Sequence, residues 1–126
     1  MTKPTDEDKI EAALIATSNV VDRMNELLEL EAGWNNGFGD PMDLTSIERC
    51  TETLLLTRGG DRFGIFPNLD GTVRAMSSHI DATFEKDGTV NIVYINSFWD
   101  GGLFDVTVRA DQSVFDVVDV LEDMLL

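Results

Sequence analysis

Two periods divide the chain. Up to about residue 57 apolar residues recur at three- and four-residue steps, from Arg62 to about Arg109 they alternate with polar ones, and the helical step returns near the C-terminal end. The first spacing places side chains along one side of a helix, and the second places them on one face of a strand. The first helical stretch runs from about Thr5 to Glu31. Ile10, Leu14, Val21, Met24 and Leu28 form its stripe, with Ala13, Val20 and Leu27 beside them. Thr5 is a suitable N-cap, and Asp6, Glu7 and Asp8 suit the positive end of the helix dipole. At ~1.5 Å per residue such a helix is about 38 Å long, more than a domain of this size needs; it is read first as lying across the core, with projection of part of its stripe or contact with a second copy as the alternatives. A second helix is predicted from about Leu44 to Thr57. Its start is signalled by Asp43 and again by the capping-box pattern Thr45-Ser-Ile-Glu48, and Gly59-Gly60 ends it. Ile47, Cys50, Thr51, Leu54 and Leu55 make its inner stripe.

The alternating half predicts five short strands. Phe63 to Pro67 is the first, with Pro67 at an edge or turn. Asn68-Leu-Asp-Gly71 leads into a second through Val73, Ala75 and Ser77. In the third, Ile80, Ala82 and Phe84 alternate with Asp81, Thr83 and Glu85, as on a sheet with one wet face. Asp87-Gly88 is a hairpin signal. The strand from Thr89 to Asn96 has apolar residues on both faces, which predicts a central position covered in part on both sides. Phe104, Val106 and Val108 define the last. A third helix, Ser113 to about Leu125, carries Val114, Val117, Val118, Leu121 and Leu125 on one side. Helices segregated from antiparallel strands indicate a single α+β domain over residues 1–126: a long N-terminal helix and a second helix packed on a four- or five-stranded antiparallel sheet, with a C-terminal helix.

Between the first two helices lies Gly33-Trp-Asn-Asn-Gly-Phe-Gly-Asp-Pro41, a stretch that Gly, Asn and Pro keep irregular. Trp34 and Phe38 within it are read as plugs that lock the helices over the sheet. Phe98 and Trp99 sit in a similar connection before Asp100-Gly-Gly102, and Trp99 is either a plug or an exposed anchor, since Trp is enriched at interface hot spots.

Charge changes the functional picture more than the fold. Twenty-four Asp and Glu against nine Lys and Arg give −15. Direct binding of nucleic acid or of anionic membranes is disfavoured at that charge. Residues 100–126 alone hold seven carboxylates and one arginine. Asp116, Asp119 and Asp123 share a side of the third helix, with Glu122 beside them. Like charges at that spacing repel, and Glu122 and Asp123 oppose the negative end of the dipole. The single cysteine excludes an internal disulfide, and the N-terminus has no apolar signal core, which together predict a cytoplasmic protein.

The catalytic inventory is thin. One histidine, His79, rules out multi-histidine zinc sites and leaves only a His79–Cys50 dyad, while Cys50 falls on an apolar stripe. No phosphate-loop pattern occurs, and Asn35, Asn36 and Asp40 do not have calcium-loop spacing. Asp40, Asp43 and Asp100 make no more than a loose cation site. A non-catalytic chain with no cofactor and no resident metal is therefore expected.

The series Gly33-Trp-Asn-Asn-Gly37, a helix, Pro67-Asn-Leu-Asp-Gly71 and a hairpin at Asp87-Gly88 resembles a family of small uncharacterised bacterial and phage proteins with a Gly-Trp-Asp-Gly-like loop and a Pro-x-x-Asp-Gly hairpin. The resemblance covers roughly Leu27 to Ile95. It departs where that family often has Glu-Trp, here Ala75-Met-Ser77. It implies a helix–sheet fold and a phage or mobile-element context, and no activity.

The expected function is binding. An inhibitor or antitoxin-like protein would use Asp116, Asp119, Glu122, Asp123, Asp100 and Trp99 to occupy the basic surface of a nucleic-acid-handling partner. The alternative is an assembly protein that self-associates, as a homodimer for example, through the first helix and the aromatic loops.

Overall fold

The computed structural model describes residues 18–96 and 102–125, with the backbone alone at 95, 96 and 102–104. The predicted start of the first helix, Thr5 with its acidic first turn, lies outside the described residues, as do Phe98, Trp99 and Asp100. Within them the chain is α+β. Helix α1 covers residues 18–28, and α2 (Leu44–Leu56) and α3 (Val114–Leu125) flank a meander of β1 (Gly64–Pro67), β2 (Val73–Met76), β3 (Ile80–Phe84), β4 (Val90–Asn96) and β5 (Gly102–Val108). All neighbouring strands are antiparallel, in the order β1-β2-β3-β4-β5.

Register explains how one face became the core. Ile65, Ala75, Ala82, Ile92 and Val106 are successive cross-strand partners, as are Val73, Phe84, Val90 and Val108. These rows are buried, apart from half-buried Val106, and the helices close over them. Helix α2 lies on β2 and β3 and packs beside α3. Helix α1 contributes Val20, Met24 and Leu27 to the same core. The other sheet face has Arg74, Thr83, Asn91 and Thr107 in one row and Met76, Asp81, Val93 and Asp105 in the next. It is half-exposed or exposed throughout. Strand β4 has a neighbour on each side, as its two apolar faces predict, though it stands next to the edge and not at the centre.

Several side chains lie differently from the periodicity. Val21 and Leu28 are exposed, so the buried stripe of α1 is Val20-Met24-Leu27, one position around the helix from the Val21–Leu28 line. Leu55 and Leu125 are also exposed, whereas Cys50 and Leu54 are buried. Asp43, not Thr45, is the N-cap of α2: its carboxylate accepts from Ser46 N at 3.1 Å. The capping-box pattern fails because Thr45 and Glu48 are already inside the helix. Thr57 follows α2 as its C-cap, and Gly59 has φ 77°, the left-handed conformation a helix stop needs.

The loop between α1 and α2 is more ordered than its composition suggests. Asn35 N donates to Phe38 O at 2.7 Å and Phe38 N returns to Asn35 O at 2.9 Å. Asn36 and Gly37 both have positive φ, 53° and 93°, which a tight hairpin turn requires of its two central residues. Trp34 is half-buried against the core, and its indole N–H donates to Asp40 O at 2.8 Å, closing the loop on itself. Phe38, at the tip, is 71% exposed and locks nothing, which corrects its reading as a plug. Trp34→Ala is therefore expected to lower stability by about 2 kcal/mol, roughly half the cost of deleting a fully buried ring. Phe38→Ala should stay within about 0.5 kcal/mol of the parent. Denaturant unfolding of both variants checks this, and equal losses would contradict it.

Two aspartates hold the hairpin turns. The Asp70 carboxylate accepts from Thr72 Oγ1 at 2.6 Å and Thr72 N at 3.0 Å, and Asp87 accepts from Thr89 N at 2.8 Å. Donation by the Thr72 hydroxyl, then by its backbone N–H, holds the Asp70 carboxyl below the usual carboxylate range; the Thr89 backbone N–H does the same for Asp87. A depressed folded pKa contributes stability above the ordinary carboxylate pKa, and that contribution is lost as pH falls through the folded value. Relief of the −15 charge acts in the opposite direction. Thermal melts should therefore hold or rise on mild acidification from neutral pH, then fall below about pH 4. Asp70→Asn, which keeps an acceptor oxygen but cannot titrate, should shallow that acid limb; an unchanged limb would show that the turn is not its source.

Candidate functional site

Each helix of the covering layer sends carboxylates outward. Asp22 on α1, Glu29 in the turn just after it, Glu48 and Glu52 on α2, and Asp116, Asp119 and Asp123 on α3 are all exposed. Helices α2 and α3 run side by side in the same direction. Arg49 Nη2 from the middle of α2 donates to Gln112 O, just before α3, at 3.0 Å, and Arg58 N just past the end of α2 donates to Glu122 Oε1, near the end of α3, at 2.9 Å. Among the described residues, the one ion pair within the helices is Arg23–Glu26 at 2.9 Å. The layer is thus an acidic surface with little internal neutralisation.

The predicted residues on α3 do not share one role. Asp116 accepts from Ser113 N at 3.1 Å while Ser113 Oγ accepts from Phe115 N at 3.1 Å. That reciprocal pair caps the helix and explains a carboxylate in its first turn. Glu122 is half-buried and holds the α2 exit through Arg58 N. Asp119 and Asp123 point to solvent. Asp123 also borders an open cleft of about 450 Å³ with Arg58, Gly59, Arg62, Glu122 and Leu125. Arg58 and Arg62, neither singled out by periodicity, lie across that cleft from Glu122 and Asp123. The bond from Arg58 N to Glu122, across 64 residues of sequence, is what brings this end of α2 to α3.

Cys50 is fully buried on α2, and burial pushes its thiol far above the usual range. His79 is exposed in the β2–β3 turn, its ring edge-on to Tyr94 with centroids 6.4 Å apart. Among the described residues no group of three or more His, Cys, Asp and Glu side chains is placed to hold a metal ion. No helix among them is long and apolar enough to cross a membrane.

The wet sheet face is the second candidate surface. Arg74 Nη1 and Asp81 Oδ2 stand 3.9 Å apart, while Arg74 Nε and Asp81 Oδ1 are buried without a hydrogen-bond partner. Thr107 Oγ1 donates to Asn91 Oδ1 at 3.2 Å. Phe66, 42% exposed, lies over Gly64: a Cβ on that glycine would sit 2.7 Å from the ring, so the glycine is what lets the ring lie on the strand. Such contacts depend on register, and no local sequence signal announces them. No protein-family model, curated protein or solved structure matches the chain.

Proposed function

We propose that this chain is a small acidic binding protein whose helical layer engages the basic surface of a partner, one built to meet phosphates. The observation that carries the reading is that all three helices packed on one core expose carboxylates, with a single ion pair among them in the described residues. Charges of one sign on a surface steer a complementary partner and make the contact salt-sensitive. Asp119 and Asp123, which the fold does not use for capping, are the residues that would carry it together with Glu48 and Glu52. An inhibitory role follows if the surface they occupy is the partner's nucleic-acid site.

The test is capture from the native source on immobilised protein, eluted along a salt gradient and challenged with duplex DNA. Elution by salt and displacement by DNA are expected. The variant Glu52→Lys/Asp119→Lys/Asp123→Lys should slow association with the captured protein by about 10- to 1000-fold. A partner that binds that variant at the parent rate would overturn the reading. Exposed Val21 and Leu28, one helical stripe on α1, favour a second reading, self-assembly through that helix. A monomer by light scattering at micromolar concentration removes it.

A further inference from the structure

The two edges of the sheet are not equivalent. In antiparallel pairing the N–H and C=O of a given residue point to the same side, and successive residues alternate. The turn bonds fix that alternation. Glu85 N donates to Thr89 O at 2.8 Å across the β3–β4 hairpin, so Asn91 and Val93 direct their backbone groups toward β3, while Val90, Ile92, Tyr94 and Asn96 direct theirs toward β5. Their partners Val108, Val106, Phe104 and Gly102 face inward. Leu103, Asp105 and Thr107 therefore present N–H and C=O away from the sheet.

At the opposite edge, Asn68 N donates to Thr72 O at 2.8 Å, and the same alternation turns Ile65 and Pro67 outward on β1. Both are already dealt with. Ile65 O accepts from Arg23 Nε at 2.9 Å, and Pro67 has no N–H. Strand β1 is also four residues long, against seven for β5. Short strands, proline and covering side chains are the ordinary means of closing an edge to further pairing. Strand β5 has none of these among the described residues, only an exposed charge, Asp105, in its middle.

We infer that the outer edge of β5 is a docking site for an extended, basic segment of a partner protein, which adds to the sheet as a sixth strand through the backbone of Leu103, Asp105 and Thr107. Asp105 selects the occupant. A residue paired with it across the new ladder would have its Cβ about 5 Å away, a distance at which lysine or arginine is attracted and a carboxylate repelled. A second copy of the chain is disfavoured on that ground. Two-fold pairing centred on the edge sets Asp105 against its own equivalent, and each copy carries −15. Main-chain bonds give such a site its affinity, and the alternate side chains give its specificity. The site lies at the sheet edge, and its backbone groups act independently of the carboxylates on the helices.

The experiment compares two blocked synthetic peptides of alternating valine and lysine, identical except that one is N-methylated at its lysines. Their charge is equal, so any difference between them reports strand pairing and not attraction to the acidic helices. The unmethylated peptide is expected to bind the full chain, shift the amide resonances of Leu103, Asp105 and Thr107, and slow their hydrogen exchange. The methylated peptide should bind about tenfold or more weakly, as the loss of two or three backbone hydrogen bonds requires. Thr107→Pro, which removes one outward N–H and no inward one, should weaken the unmethylated peptide similarly while circular dichroism stays native. If that variant does not fold, the peptide pair on the parent chain still decides. Equal affinity for the two peptides, binding of neither, protection of those three amides in the free chain, or a dimer paired through β5 would each overturn the inference.

Discussion

Replacing Ser46 by alanine is expected to lower stability by about 2–5 kcal/mol, because two buried backbone groups lose their partner and each unsatisfied group costs about 1–3 kcal/mol. Ser46 lies in the first turn of α2 and is fully buried. Its hydroxyl donates to Phe84 O at 2.5 Å and accepts from Val73 N at 2.9 Å. Val73 and Phe84 are cross-strand partners at the end of the β2–β3 ladder, so one hydroxyl ties the helix to two strands at once. Deleting it creates almost no cavity, and the loss would come from the stranded N–H and C=O. The neighbouring Thr45→Ala is the control. Thr45 is exposed and outside the cap, so the change should stay within about 0.5 kcal/mol. Asp43→Ala, which removes the cap itself, should cost about 1 kcal/mol. Urea unfolding of the three variants gives the order Ser46, Asp43, Thr45; a Thr45 effect as large as that of Asp43 would restore the capping box to the wrong residue.

Ser46 also marks where sequence reading stops. The strands were legible because burial on one face forces a period of two, and the rows Ile65-Ala75-Ala82-Ile92 and Val73-Phe84-Val90 follow from it. The Asp87-Gly88 turn and the core position of Cys50 were legible for the same local reasons. Asn36-Gly37 carries the same turn signal, but a Gly- and Asn-rich loop does not show locally which of its aromatic residues faces the core, and Phe38 stands exposed at the hairpin tip. Ser46, Arg23 on Ile65 O and Glu122 on Arg58 N were not legible at all. Each is a bond across 27, 42 and 64 residues respectively, set by the register of the sheet and the lie of a helix. Of the candidate site, sequence supplied the acidic residues of α3 but not the division of labour among them. A carboxylate that caps and one that faces solvent look alike until Ser113 N and Arg58 N are placed.

That division bears on how binding would be read. Asp116 and Glu122 contribute hydrogen bonds to the fold, so changing them would confound lost affinity with lost structure. Asp119 and Asp123 carry charge alone, whereas the β5 edge offers backbone groups with one exposed carboxylate, Asp105. A partner that needs both surfaces would show a salt-dependent on-rate from the helices and a salt-tolerant component from the strand. The two surfaces therefore separate by ionic strength as well as by mutation.

Gly71→Ala is expected to destabilise by about 2–4 kcal/mol, since a left-handed backbone costs alanine about 1–2 kcal/mol and the new methyl also meets backbone. Gly71 has φ 88°, and a Cβ there would stand 2.6 Å from Pro41 O. The obstacle is a carbonyl, not the movable end of a side chain, so the loop before α2 must retreat from the β1–β2 turn. Retreat strains the two hydrogen bonds that dock it, Asp40 N to Leu69 O and Asp43 N to Gly71 O, each 2.8 Å. Asp43 is the N-cap of α2, so the disturbance reaches the helix that carries Ser46, Glu48 and Glu52. Gly37→Ala separates the two contributions. Its φ is 93°, but an added Cβ meets nothing within 4 Å, so it should cost only the backbone share, about 1–2 kcal/mol. The difference between the variants measures how firmly the Trp34 loop is seated on the hairpin. Equal losses in denaturant unfolding would show that the loop stands clear of the turn in solution, and that α2 is positioned by its core contacts and Ser46 alone.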